Sequence, residues 1–278
     1  MLRQRVITAV VMAVLFLTAI ASLGLNWLAL LFAVVASAAA WEWAPLSGLK
    51  GYIQRLFYVG VFLGVLVGLW VGLGFREVPG RDAFQPWLGV ACLFWSIAML
   101  LVESYPGTSW IWRSPAARSV MGLLILSATW LSAVFLLTLP GGALLMVLLV
   151  LAVAAADIGA YFTGRKWGKH KLAPKVSPGK TWEGLWGGLA GVMLLTLGIV
   201  AILPEHLSHL PTESLLLLGL ALAGASVLGD LTISMVKRTS GVKDSGMLLP
   251  GHGGLLDRID SLCAAAPVFA LGLILAGY

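Results

Sequence analysis

Charge is scarce in this 278-residue chain. Asp, Glu, Lys and Arg make up 11% of it, less than half the share of about 25% in an ordinary soluble domain. Cysteine and histidine are scarcer, with two and four copies. Cys92 and Cys263 lie inside apolar runs without motif spacing. That excludes a disulfide framework and a cysteine-rich zinc site, and leaves both as packing residues. His206 and His209 stand three apart in PEHLSHLPTES with no further ligand near them, which argues against a histidine metal centre. The GxxxxGK[ST] phosphate loop is missing, as are an evident Ser/His/Asp arrangement, an internal repeat and a low-complexity linker.

Apolar residues fill the space. They are 60% of the chain, and the mean hydropathy is +0.97. They come in runs near or above the roughly 20 residues that cross a bilayer as helix. The expectation is an all-α polytopic membrane protein of about nine spans, at 6–24, 27–45, 56–74, 87–103, 119–139, 142–162, 184–203, 214–236 and 261–277. Residues 1–140 form an N-terminal group of about five spans. Residues 141–278 form a C-terminal, catalytic group of about four, with polar loops at 163–183 and 237–260. The start, MLRQRVITAVVMAVLFLTAIASLG, reads as a retained first span rather than a cleaved signal peptide.

Net charge +6 could suggest nucleic acid, but the positions of the basic residues point to a membrane instead. With the N-terminus on the cytoplasmic side, 16 of the 18 Lys and Arg fall on that side, and only Arg76 and Arg81 on the other, as the positive-inside rule expects. Trp41, Trp43, Trp110 and Trp112 sit near expected interfaces. Glu42 and Glu103, near inner span ends, read as boundary carboxylates. The spacings Gly184–Gly188 and Gly187–Gly191 permit close helix packing, within the chain or in a homodimer.

Chemistry concentrates in the second half. Asp157 and Asp230 lie inside apolar runs, where a carboxylate costs about 2.5–3.5 kcal/mol at the helix centre. Asp230 should face a cavity or a cation, roughly 9 Å inside its span end, with Ser234 on the same face at i+4. The loop 163–183, TGRKWGKHKLAPKVSPGKTWE, carries six basic residues and one acid, Glu183. Its SPGKT is expected as a tight turn before a helix start, where N–H groups and a cation meet phosphate. The loop KRTSGVKDSGMLLPGHGGLLDRID supplies Lys237, Arg238 and Lys243 for phosphate oxygens. A glycine turn follows, able to approach a ligand closely. A helix then begins with Asp257 and Asp260 three apart, a spacing suited to Mg²⁺, which keeps waters and borrows phosphate oxygens. Cations, glycines and carboxylates at a membrane surface imply phosphoryl or nucleotidyl transfer.

The stretch SMVKRTSGVKDSGMLLPGHGGLLDRID, residues 234–260, resembles the signature of the phosphatidate cytidylyltransferases. The matching positions are Ser234, Lys237–Arg238, Lys243–Asp244, His252–Gly253–Gly254, Asp257–Arg258 and Asp260. DIGAYFTGRKWGK and KVSPGKTWEG resemble that family's companion segments. The resemblance implies Mg²⁺-dependent conversion of CTP and phosphatidate to CDP-diacylglycerol and pyrophosphate, at the cytoplasmic face of a bacterial inner membrane. A second metal or a monovalent cation could assist. On that reading Asp230, Asp257 and Asp260 are metal ligands. Lys237, Arg238, Lys243 and Arg258 bind phosphates. Ser177, Lys180 and Thr181 close over the nucleotide or hold the lipid phosphate. Asp157 and Tyr161 line the cavity, and His252 is an orienting donor. The alternative is a CTP-dependent kinase of a polyprenol-type lipid, which would release CDP. A CDP-alcohol phosphotransferase would carry a DGxxAR pattern, which is missing. A transporter of anionic solutes would spread polar residues toward both faces.

Overall fold

The computed structural model describes residues 2–75, 80–202, 210–248 and 253–278, with side chains from Ile7 onward. His206, His209, Arg76 and His252 lie outside the described residues, so the expectations placed on them have no counterpart here.

Nine long helices run through the described residues: α1 (Leu2–Ser22), α2 (Leu25–Leu46), α3 (Tyr52–Gly72), α4 (Arg81–Glu103), α6 (Pro115–Thr138), α7 (Gly142–Trp167), α8 (Trp182–Ala201), α9 (Thr212–Thr239) and α10 (Leu256–Leu275). A single turn, α5 (Ser109–Trp112), precedes α6, and a hairpin of β1 (Lys171–Ala173) and β2 (Ser177–Thr181) lies between α7 and α8. Eight helices are long and apolar enough to span a bilayer, and α1 has a shorter apolar part, Ile7–Ser22. The chain is thus an integral membrane protein. Helices satisfy their own backbone groups, which hydrocarbon cannot do for them.

Each expected span has its helix, but several helices extend beyond the apolar run. α7 continues past residue 162 to Trp167, α9 past 236 to Thr239, and α10 begins at Leu256 rather than 261. The backbone ladder continues where hydropathy ends. The last turns of α7 and α9 carry Arg165–Lys166 and Lys237–Arg238, which complement the negative helix end.

The core sits on α6, packed against α2, α10 and α7. Trp43, Phe62, Phe84, Ile125 and Phe135 are fully buried there. Helices α3 and α8 keep most of their apolar side chains on the outside, a surface suited to lipid. Two clusters mark opposite ends of the bundle. At one end Arg118 donates to the Leu46 carbonyl (2.6 Å) and to Ser240 Oγ (2.8 Å), joining α2, α6 and α9. At the other, the Tyr278 hydroxyl bonds the Pro140 carbonyl, and Arg81 bonds the Tyr278 carbonyl.

Helices α7 and α8 meet almost backbone to backbone. A Cβ on Gly159 would stand 2.3 Å from the Gly187 carbonyl oxygen, and Cβ atoms on Gly188 and Gly191 would each stand 2.8 Å from carbonyls of α7. The glycine spacing expected to serve packing does so within the chain. This contact holds the hairpin over the end of α9.

The hairpin itself was not expected. SPGKT is strand β2, and the turn falls at Pro174–Val176. Pairing with β1 satisfies backbone groups that a free turn would leave to solvent. β2 then runs straight into α8, where Thr181 Oγ1 accepts the Gly184 N–H (3.1 Å) as N-cap. The helix start after SPGKT was therefore read correctly, and the tight turn was not.

Candidate active site

Three elements converge at the end of the bundle where α7, α9 and the start of α10 meet. α9 contributes Asp230, Ser234, Lys237 and Arg238; α10 contributes Asp257 and Asp260; the hairpin contributes Lys180.

Asp230 is the centre. Ser234, one turn on, donates its hydroxyl to Oδ1 (3.0 Å), as the i+4 spacing requires. Lys180 reaches from β2 to form an ion pair with Oδ2 (2.8 Å) and also donates to the Val227 carbonyl (3.3 Å). The side chains of Lys180 and Asp230 are 24% and 32% exposed, so the pair is only partly enclosed. Asp157 on α7 lies within electrostatic reach of both Lys180 and Asp230. Asp260 feels Asp230, Lys237 and Lys180. Three carboxylates and two ammonium groups therefore share one small region. Like charges at such range repel strongly unless cations intervene.

Asp257 is differently placed. Oδ1 pairs with Lys237 (2.6 Å), and both side chains are 9% exposed. Oδ2 accepts the N–H groups of Ser245 (2.9 Å) and Gly254 (3.2 Å). The carboxylate thus ties Ser245 to Gly254 within the connection between α9 and α10. Gly253 beside it has φ +83°, a backbone setting glycine adopts without strain.

The other sequence-predicted residues surround this centre. Arg238 donates to the Val176 carbonyl (3.2 Å), tying α9 to the hairpin turn. Lys243, Asp244 and Arg258 are exposed. Ser177 is half-buried on β2, whereas Thr181 is buried and its hydroxyl is occupied in capping α8. Tyr161 is exposed, and its hydroxyl accepts from Arg165 (2.9 Å). Glu183 accepts the N–H groups of Lys169 and His170 and pairs with His170 Nδ1 (2.7 Å), so it closes the base of the hairpin.

One participant escaped the sequence reading. Glu42 on α2 is no boundary carboxylate: it is 3% exposed and bonds Ser245 of the α9–α10 loop and Leu256, the first residue of α10. Its local sequence, AWEWAP, carries no sign of a partner two hundred residues away.

Beside the centre lies a cleft of about 1,120 Å³, mainly apolar, between α4, α9, α10 and the hairpin turn. Val227, Leu228 and Leu231, flanking Asp230, are in its wall with Val176. Among the described residues no group of three or more His, Cys, Asp or Glu side chains is arranged to cage a metal by itself. Mg²⁺ needs no such cage, since it takes one or two carboxylates together with water and phosphate.

Residues 3–275 match the cytidylyltransferase family. The phosphatidate cytidylyltransferase of Pseudomonas aeruginosa is 43% identical over 279 residues, covering 100% of this chain and 99% of that protein. Its counterpart in Haemophilus influenzae is 39% identical, covering 97% and 98%. The phosphatidate cytidylyltransferase of Mycobacterium leprae is 32% identical over 228 residues, covering 78% and 72%.

Proposed function

The chain belongs to the cytidylyltransferase family, and from that premise we propose that it is a phosphatidate cytidylyltransferase, converting CTP and phosphatidate to CDP-diacylglycerol and pyrophosphate. The observation that carries the reading is two lysine–aspartate pairs set along α9, Lys180–Asp230 and Lys237–Asp257, beside an apolar cleft in a membrane bundle. Lysines at that point can face phosphate oxygens while acyl chains stay in apolar surroundings.

In this reaction an oxygen of the lipid phosphate attacks the α-phosphorus of CTP, and pyrophosphate departs. The attacking group is already an anion, so no protein nucleophile is required. Catalysis then rests on alignment and on fixed charge at the phosphates. Lys180 and Lys237 are each paired with a carboxylate, Asp230 and Asp257, and Lys243 and Arg258 beyond them are exposed. Arg238 holds the hairpin turn against α9, keeping Lys180 over Asp230.

Asp230 and Asp260 fit Mg²⁺ by their hard oxygen donors, carried on two helices whose backbones meet at Gly229. Both Asp257 oxygens, by contrast, are already engaged by Lys237, Ser245 and Gly254. Mg²⁺ would supply charge neutralisation at the phosphates during the transfer. The positive-inside distribution of basic residues supports reading this end of the bundle as cytoplasmic, in a bacterial inner membrane.

The test is direct. Purified protein in detergent receives CTP, phosphatidate and Mg²⁺, and both pyrophosphate and CDP-lipid are measured. Equal amounts of the two are expected. Release of CDP instead would indicate the lipid-kinase chemistry, and neither product would sink the proposal.

A further inference from the structure

Glu42 lies 203 residues from Ser245 and 214 from Leu256 in sequence, yet the loop between α9 and α10 is built around it. Its Oε2 accepts the Ser245 hydroxyl (3.1 Å) and the N–H of Leu256 (2.8 Å), the first residue of α10. The loop closes on the carboxylate from both directions. A Cβ at Gly246 would stand 2.3 Å from Oε1, and one at Gly254 would stand 2.6 Å from Oε2 and 2.0 Å from Ser245 Oγ. Neither glycine could carry a side chain without moving this contact. Oε1 is buried without a hydrogen-bond partner.

A buried carboxylate is costly where an apolar residue would fill space equally well. Its bonds here are directed at one loop. Ser245 is gripped twice: its N–H by Asp257 Oδ2 (2.9 Å) and its hydroxyl by Glu42. The far end of the loop is gripped in the same way, Gly254 N–H by Asp257 (3.2 Å) and Leu256 N–H by Glu42. Asp257 in turn pairs with Lys237 (2.6 Å). Two carboxylates, one from each half of the chain, fix both ends of the segment that carries Gly253 and leads into Asp257 and Asp260. Below Glu42 on α2, the Leu46 carbonyl receives Ser240 Oγ (2.7 Å) and Arg118 (2.6 Å), so the end of α2 is itself anchored to α9.

We propose that Glu42 is a positioning residue for the nucleotide: by holding Ser245 and the first turn of α10, it sets the Asp257–Lys237 pair and the adjacent Lys243 where the CTP phosphates bind. The N-terminal helices thereby form part of the nucleotide site as well as the membrane anchor. The proposal rests on the cytidylyltransferase reading.

The variants are Glu42→Ala, Glu42→Gln, which keeps one acceptor oxygen, and Ser245→Ala, which removes only a hydroxyl. Two quantities are measured on purified full-length protein: initial rates against CTP at saturating phosphatidate, and hydrogen exchange of the amides from Ser245 to Leu256. Glu42→Ala removes two hydrogen bonds to a carboxylate and is expected to raise KM for CTP about tenfold or more. Its kcat should change far less, and the loop amides should exchange faster. Glu42→Gln should recover most of the affinity. Ser245→Ala should shift both readouts in the same direction by a smaller factor. An unchanged KM for CTP in Glu42→Ala, with only a lower melting temperature, overturns the proposal, as does unchanged loop exchange. Should Glu42→Ala fail to fold, Ser245→Ala decides: unchanged KM and unchanged exchange overturn it. Failure of the wild type to make CDP-lipid would instead refute the cytidylyltransferase reading, and the exchange measurement would still read what Glu42 does to the loop.

Discussion

Gly229 on α9 lies directly against the backbone of Asp260 on α10: a Cβ at position 229 would stand 2.4 Å from the Asp260 carbonyl oxygen and 3.2 Å from both the Ser261 carbonyl oxygen and Ala264 Cβ. The two helices therefore meet at backbone level one residue before Asp230. That approach brings Asp230 and Asp260, from separate helices, into electrostatic contact.

Gly229→Ala should separate the two carboxylates. Backbone atoms cannot yield as a flexible side chain can, so the helices must shift, at a cost of about 1–3 kcal/mol. Synthesis of CDP-lipid should fall by more than the loss of stability explains. Gly198→Ala on α8 is the control, because a Cβ there meets nothing within 4 Å, and it should leave rate and melting temperature unchanged. Equal behaviour of the two variants would refute the packing argument.

The Lys180–Asp230 pair predicts two distinguishable defects. Asp230→Asn removes the charge that a cation would meet, and kcat should drop by about a hundredfold or more. The Mg²⁺ concentration needed for half-maximal rate should rise with it. Lys180→Met leaves the carboxylates intact and removes the ammonium proposed to meet phosphate, so KM for a phosphate-bearing substrate should rise while the Mg²⁺ requirement stays near wild type. A Mg²⁺ titration of both variants separates the roles, and identical Mg²⁺ curves for the two would refute the assignment.

Lys237 and Asp257 are both 9% exposed, so each shields the other's charge from an apolar interior. Lys237→Met should destabilise the protein by about 3–5 kcal/mol, since it leaves a buried carboxylate without its cation. Asp257→Asn retains the acceptor oxygen for Ser245 and Gly254 but loses the charge. It should remain folded and inactive. The double variant should be more stable than the sum of the singles predicts, with a coupling of about 1 kcal/mol or more. Additive melting shifts would show that the pair contributes little.

Local pattern explains what could be read from sequence. Asp230 and Ser234 were legible as one polar face because a helix places i and i+4 together, and the structure bonds them. Asp257 and Asp260 were legible as a helical pair for the same reason. The apolar runs gave the helices, because the bilayer leaves the backbone few other choices. The hairpin was hidden: Pro178 and Gly179 suggest a turn, and a strand of five residues shows no alternation to contradict it. It exists because the α7–α8 contact and Lys180 hold it in place. Glu42 was hidden for a different cause. A single carboxylate near a span end has many explanations, and only tertiary structure shows the loop that surrounds it.

The glycines between α7 and α8 decide where the small-residue spacing acts. Gly159, Gly188 and Gly191 each face a carbonyl of the neighbouring helix too closely for any Cβ, and all of these contacts are within one chain. A substitution such as Gly188→Leu should therefore lower the melting temperature and loosen the hairpin, because α8 carries β2 and Lys180 with it. The mass of the protein in detergent, measured by light scattering, should not change. If Gly188→Leu instead altered that mass at unchanged melting temperature, the glycine face would belong to an interface between copies, and the position of Lys180 over Asp230 would need another support.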